Sequence, residues 1–112
     1  MTASAERVPQ WRPRHFYFEK FKVVDGDSEY PLLGVRATEQ PLTKERWMRE
    51  LLEFSWTTNG EAPWSPEQIR KFLNTAHPSL PVDGGRRMYR NFWLEEIRRD
   101  DYDVLERFLR YR

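Results

Sequence analysis

The chain has 112 residues and no cysteine, with 38% hydrophobic, 33% charged and 15% aromatic residues. That length fits one domain with its own core, and this composition excludes a disordered chain. A net charge of +1 argues against a partner recognised by overall charge, missing cysteine removes disulfides and thiolate chemistry, and no apolar run reaches the ~18 residues of a membrane span.

Residues 1–13 are polar, hold Pro9 and Pro13, and show no periodicity, so they read as a mobile arm ahead of one α+β domain over 14–112. They also lack the apolar centre of a signal peptide, which makes the cytoplasm the expected location. Trp11 is the arm's one large apolar residue.

Residues 14–24 carry the strongest strand signal, rich in aromatic and β-branched side chains. Alternation puts Tyr17, Phe21 and Val23 on one face, interrupted by Glu19, and Phe16, Phe18, Lys20 and Lys22 on the other. The turn-forming residues 25–29 and a second apolar run over 30–37 complete a hairpin. Its second strand has Leu33, Val35 and Ala37 on one face and Leu32 and Arg36 on the other, and Pro31 is confined to an edge or a strand start.

Thr43 is the expected cap of a first helix, with Leu42 and Trp47 as a hydrophobic staple and Asn59 or Gly60 as its left-handed stop. Trp47, Met48, Leu51, Leu52 and Phe54 recur at helical spacing, with Trp56 near the end. Ser65, Pro66 and Gln68 form the signature of a capping box, opening a second helix whose buried stripe is Ile69, Phe72, Leu73 and Ala76 and which ends before Pro78. Residues 79–85 read as a loop. A third helix is expected over about 86–99 with Met88, Tyr89, Phe92, Trp93 and Ile97 inward. A fourth is expected after Asp100 and Asp101 with Tyr102, Leu105, Phe108 and Leu109. The predicted fold is therefore α+β, an N-terminal two-stranded antiparallel hairpin packed on three or four helices.

No chemical motif stands out. The carboxylates of residues 25–29 alternate as in a calcium loop but lack its remainder, so a plain turn is expected. Residues 83–87 precede a predicted helix, yet lack the ending of a nucleotide loop. His15 and His77 have no cysteine helpers, and no serine sits in a nucleophile elbow. The expectation is a protein without catalytic residues, metal or cofactor.

Two functional readings remain. The first is a small non-catalytic binding protein that regulates or inhibits a larger protein or assembly, as bacterial or phage accessory proteins do. Its contact residues would be Trp11, Phe16, Phe18 and Tyr30, with a partner strand added to the hairpin edge. The alternative is a nucleic-acid-binding, helix-turn-helix-like regulator. It would use Arg12 and Arg14 from the arm and Arg86, Arg87, Arg90 and Asn91 at the start of a reading helix, although the connecting loop is longer than that motif's usual turn.

Overall fold

The computed structural model describes residues 12–109. Strands β1 (His15–Asp25) and β2 (Ser28–Thr38) form the expected hairpin. Helices α1 (Lys44–Asn59) and α2 (Pro66–Leu73) follow, then strands β3 (Leu80–Val82) and β4 (Arg87–Ile97), and last helix α3 (Arg99–Leu109). The four strands make one antiparallel sheet in the order β2-β1-β4-β3.

This sheet corrects the expected fold. The hairpin is not a lone ribbon propped by helices, because β4 pairs with the free side of β1 from Phe16↔Ile97 to Asp25↔Arg87. The segment expected as a third helix is that strand. Within the loop expected over 79–85, three residues form β3, whose Leu80 and Val82 are almost fully buried. The α+β class stands, and the described residues hold three helices.

One backbone detail explains the misreading of β4. Between the pairs Lys20↔Trp93 and Lys22↔Arg90, β1 spends one residue and β4 two. The extra residue is a β-bulge at Asn91, whose φ of 57° is left-handed. The bulge shifts the alternation by one place, so Tyr89 and Phe92, three apart, both face the core. That spacing imitates a helical stripe.

The core lies between one sheet face and α1. Tyr17, Phe21 and Val23 of β1, Tyr89 and Phe92 of β4, and Leu80 and Val82 of β3 meet Trp47, Met48, Leu51, Leu52 and Trp56 of α1. Thr43 caps α1 as expected, accepting from the Arg46 N–H at 3.1 Å, and Gly60 closes it in the left-handed conformation. The C-terminal turn of α1 is tied to β3: Ser55 Oγ and Asn59 Nδ2 donate to the Pro81 carbonyl at 2.6 and 3.0 Å, and Asn59 Oδ1 accepts from the Gly84 N–H at 2.7 Å. The capping box of α2 is formed as expected, but the helix ends at Leu73, short of Ala76. Trp64, ahead of it, bridges the rings of Trp56 and Phe72.

Glu19, the polar interruption on the core face of β1, has a physical reason. Its Oε1 accepts from Trp47 Nε1 at 2.8 Å and from Arg36 Nε at 2.5 Å, and Arg36 also reaches Glu50 at 2.9 Å. Gly34, directly across from Glu19, leaves room for the carboxylate, since a Cβ there would stand 2.8 Å from Glu19 Oε2. A half-buried acid is tolerated because its oxygens are matched by a charged and a neutral donor.

Among the described residues the second sheet face is covered only near the start of β1. There α3 turns back, with the Tyr102 ring 5.0 Å from Phe16 and the Arg99 guanidinium 6.0 Å from the same ring.

Candidate functional site

Three surfaces of the sheet lack a strand or helix partner among the described residues: the outer edge of β2, the opposite edge formed by β3 and by β4 beyond Tyr89, and the part of the second face that α3 does not cover. The first and last carry the argument, because β3 is short and its Pro81 carbonyl is already taken by α1.

The edge follows from the hairpin. Its loop is the two residues Gly26 and Asp27, with Gly26 at φ 61°, so Asp25 and Ser28 close the ladder as a hydrogen-bonded pair. Counting from that pair, the even residues of β2 bond to β1, and Glu29, Leu33, Val35 and Ala37 turn their N–H groups outward. Pro31 falls at an outward position, where its missing N–H costs the ladder nothing. No described strand pairs with this edge.

The open face is built by alternation. Leu33, Lys20 and Trp93 form one cross-strand row; Val35, Phe18 and Glu95 form the next; Pro31, Lys22 and Arg90 form the row on the other side. Trp93 is 52% exposed, and Lys20 and Arg90 are exposed. Lys22 pairs with Glu29 at 3.4 Å. A shallow depression of about 340 Å³ lies among Lys20, Lys22, Glu29, Pro31 and Asn91.

A third concavity of about 780 Å³ lies between α1, the C-terminal end of α2 and the β4 bulge. Met48, Phe72 and Phe92 line it, together with Lys44, Arg70 and His77.

Comparison of the chain with protein-family models, with curated proteins and with solved structures finds no match in any of the three. The site is therefore read from its own geometry.

The expected contact residues are scattered. Trp11 lies outside the described residues. Phe16 is buried beneath α3 and offers no free ring. Phe18 is half-buried on the open face. Tyr30 is 39% exposed, but on the α1 side of the hairpin tip. Burial raises the hydroxyl pKa of nearby Tyr89, and Tyr30 adds to that while Arg87 opposes it.

The residues of the helix-turn-helix reading do not converge either. The reading helix is strand β4, so that motif has no second helix. Arg12 and Arg14 sit at one end of β1 and Arg86 and Arg87 at the other, about 35 Å apart for an eleven-residue strand. Arg87 is engaged by Asp83. Residues 83–86 are the tight turn between β3 and β4, with Asp83, Gly84 and Gly85 all at positive φ. They are no phosphate loop, and the Gly84 amide is already taken by Asn59. Arg90 and Asn91 remain together at the bulge. Trp93, expected inward on a third helix, is instead exposed on the sheet face, because the bulge that turns it outward carries no mark beyond one asparagine.

Of residues 25–29, expected as a turn, only Gly26 and Asp27 form it; Asp25, Ser28 and Glu29 belong to the strands. His15 Nδ1 lies 3.1 Å from Glu96 Oε2, far from His77 at the α2 end. Among the described residues no group of three or more metal-ligating side chains is gathered, and no helix is long and apolar enough to cross a membrane.

Proposed function

We propose that this chain is a non-catalytic binding protein that regulates or inhibits a larger protein or assembly by lending it the outer edge of β2. The observation that carries the reading is the unpaired edge of an eleven-residue strand. From Leu33 to Ala37 it presents alternate N–H and C=O groups beside half-buried apolar side chains. Strand addition uses such an edge: main-chain bonds give affinity and the flanking side chains give selection. Pro31 limits the addition to the half of β2 away from the turn, a common way of restraining an edge from indiscriminate pairing.

The test is a proline at an outward position. Val35→Pro removes an N–H that the β1 ladder does not use, so folding survives. A partner captured by the wild-type chain and identified by mass spectrometry is expected to be lost by Val35→Pro and kept by Trp93→Ala, which alters the face and not the edge. A partner held equally by Val35→Pro and wild type refutes strand addition. Light scattering checks whether a second copy occupies the edge.

A further inference from the structure

The open sheet face carries an arrangement that the β2 edge does not explain. Lys22 and Arg90 are direct cross-strand partners, and Lys20 follows on the same face one row along. Like charges placed opposite one another weaken a sheet. Two acids share the face with them: Glu29 reaches Lys22, and Glu95 stands opposite Phe18, two residues along β4 from Trp93, while among the described residues neither Lys20 nor Arg90 has an ion-pair partner. Beside these cations stands Trp93, opposite Lys20 and half exposed, with the ring of Phe18 at the diagonal position. Diagonal neighbours on one face lie ~7–8 Å apart, within reach of large rings. The depression between Lys20, Lys22 and Asn91 is the concave part of this face.

We infer that this face binds single-stranded nucleic acid, with phosphates held by Lys20 and Lys22 at the depression and by Arg90 opposite Lys22, and a base stacked on Trp93. Cations in rows with an exposed ring are what sequence-tolerant recognition of a single strand needs: charge follows the backbone and the aromatic face takes any base. A protein partner fits less well. Lysine is depleted at protein interfaces, and here two lysines and an arginine occupy the middle of the patch. A duplex fits less well too, because its bases are stacked inside and leave Trp93 nothing to cover. The inference uses the sheet face, is independent of the β2 edge, and replaces the helix-turn-helix geometry that the strand at β4 rules out.

The experiment is fluorescence anisotropy with short labelled oligothymidylate, oligouridylate and a duplex of equal length, titrated across salt. Binding of either single strand, tighter than that of the duplex, is expected. The two single strands separate DNA from RNA as the natural ligand. Each neutralised phosphate contributes about 0.7 to the salt slope, so three cations give a slope near −2, which flattens when all three are replaced by glutamine. Trp93→Ala is expected to lose about 5–150-fold, the worth of one base stack. Arg90→Glu guards against misfolding as an explanation. It gives Lys22 an opposite charge, so it is expected to abolish binding while raising the melting midpoint by about 1–8 °C. Failure to bind either single strand at low salt, equal binding of duplex, or indifference to Trp93→Ala and the glutamine variant overturns the inference. Binding of polyglutamate in place of both oligonucleotides also overturns it, in favour of an acidic protein partner.

Discussion

Trp47 and Trp56 lie in the same core, on the same helix, and differ in one respect. Trp47 Nε1 donates to Glu19 at 2.8 Å, whereas Trp56 Nε1 is buried with no acceptor among the described residues. Replacing each by phenylalanine isolates that difference. Trp47→Phe loses a hydrogen bond to a charged acceptor, about 1.5–3 kcal/mol, and leaves Glu19 to Arg36 alone. Trp56→Phe removes an unpaired donor whose burial costs about 1–3 kcal/mol, which offsets the ring volume lost. The truncation itself is common to both. Trp47→Phe is therefore expected to be the more destabilising by about 2.5–6 kcal/mol, a gap of about 10–50 °C in melting midpoint for a domain of this size. Urea denaturation followed by far-ultraviolet circular dichroism measures both variants, and equal slopes confirm that only stability has changed. Equal midpoints, or a greater loss for Trp56→Phe, would refute the account of how Glu19 is held.

Gly34→Ala sets a methyl group against the Glu19 carboxylate and should lower stability by about 1–3 kcal/mol, as overpacking does; a thermal melt indistinguishable from wild type would show that Glu19 moves aside freely. Stability should also fall as pH rises above 10. Burial raises the pKa of Tyr89 and of Tyr102, the latter also through Glu106 and Asp103. In both the folded state keeps a proton that the unfolded state releases first, so their contribution is intact below the ordinary tyrosine pKa of about 10 and is lost above it. Urea midpoints at pH 8 and at alkaline pH check this, and Tyr102→Phe should shallow the decline; an unchanged alkaline slope would count against it.

Much of the fold could be read from local chemistry. Thr43, Ser65, Gln68 and Gly60 marked helix ends because their side chains or backbone conformations act within a few residues, and the structure bears them out. The aromatic alternation of β1 and the turn-forming residues 25–29 likewise specified the hairpin, whose turn the structure narrows to Gly26 and Asp27. Phe92 was correctly expected inside, although on the wrong kind of element. What escaped was long-range. Nothing near Arg87 announces that β1 will recruit it, and the bulge at Asn91 disguises strand alternation as helical spacing. The candidate site fared in the same way. The face shared by Phe18, Lys20 and Lys22 was visible from period two, while Trp93 and Arg90, which complete it, became visible only once β4 was placed beside β1.

The sheet order has a consequence for biosynthesis. Strand β1 lies inside the sheet, and its second neighbour, β4, is translated long after the first. The roughly 60 residues between Thr38 and Ile97 take on the order of 3–12 s to synthesise at ordinary elongation rates. Throughout that interval the nascent hairpin shows bare backbone along both margins and an uncovered aromatic flank. Such pairing between distant segments also forms slowly. Aggregation risk is thus concentrated before β4 is made, and a fragment stopping short of Arg87 should precipitate more readily than a chain that carries β4.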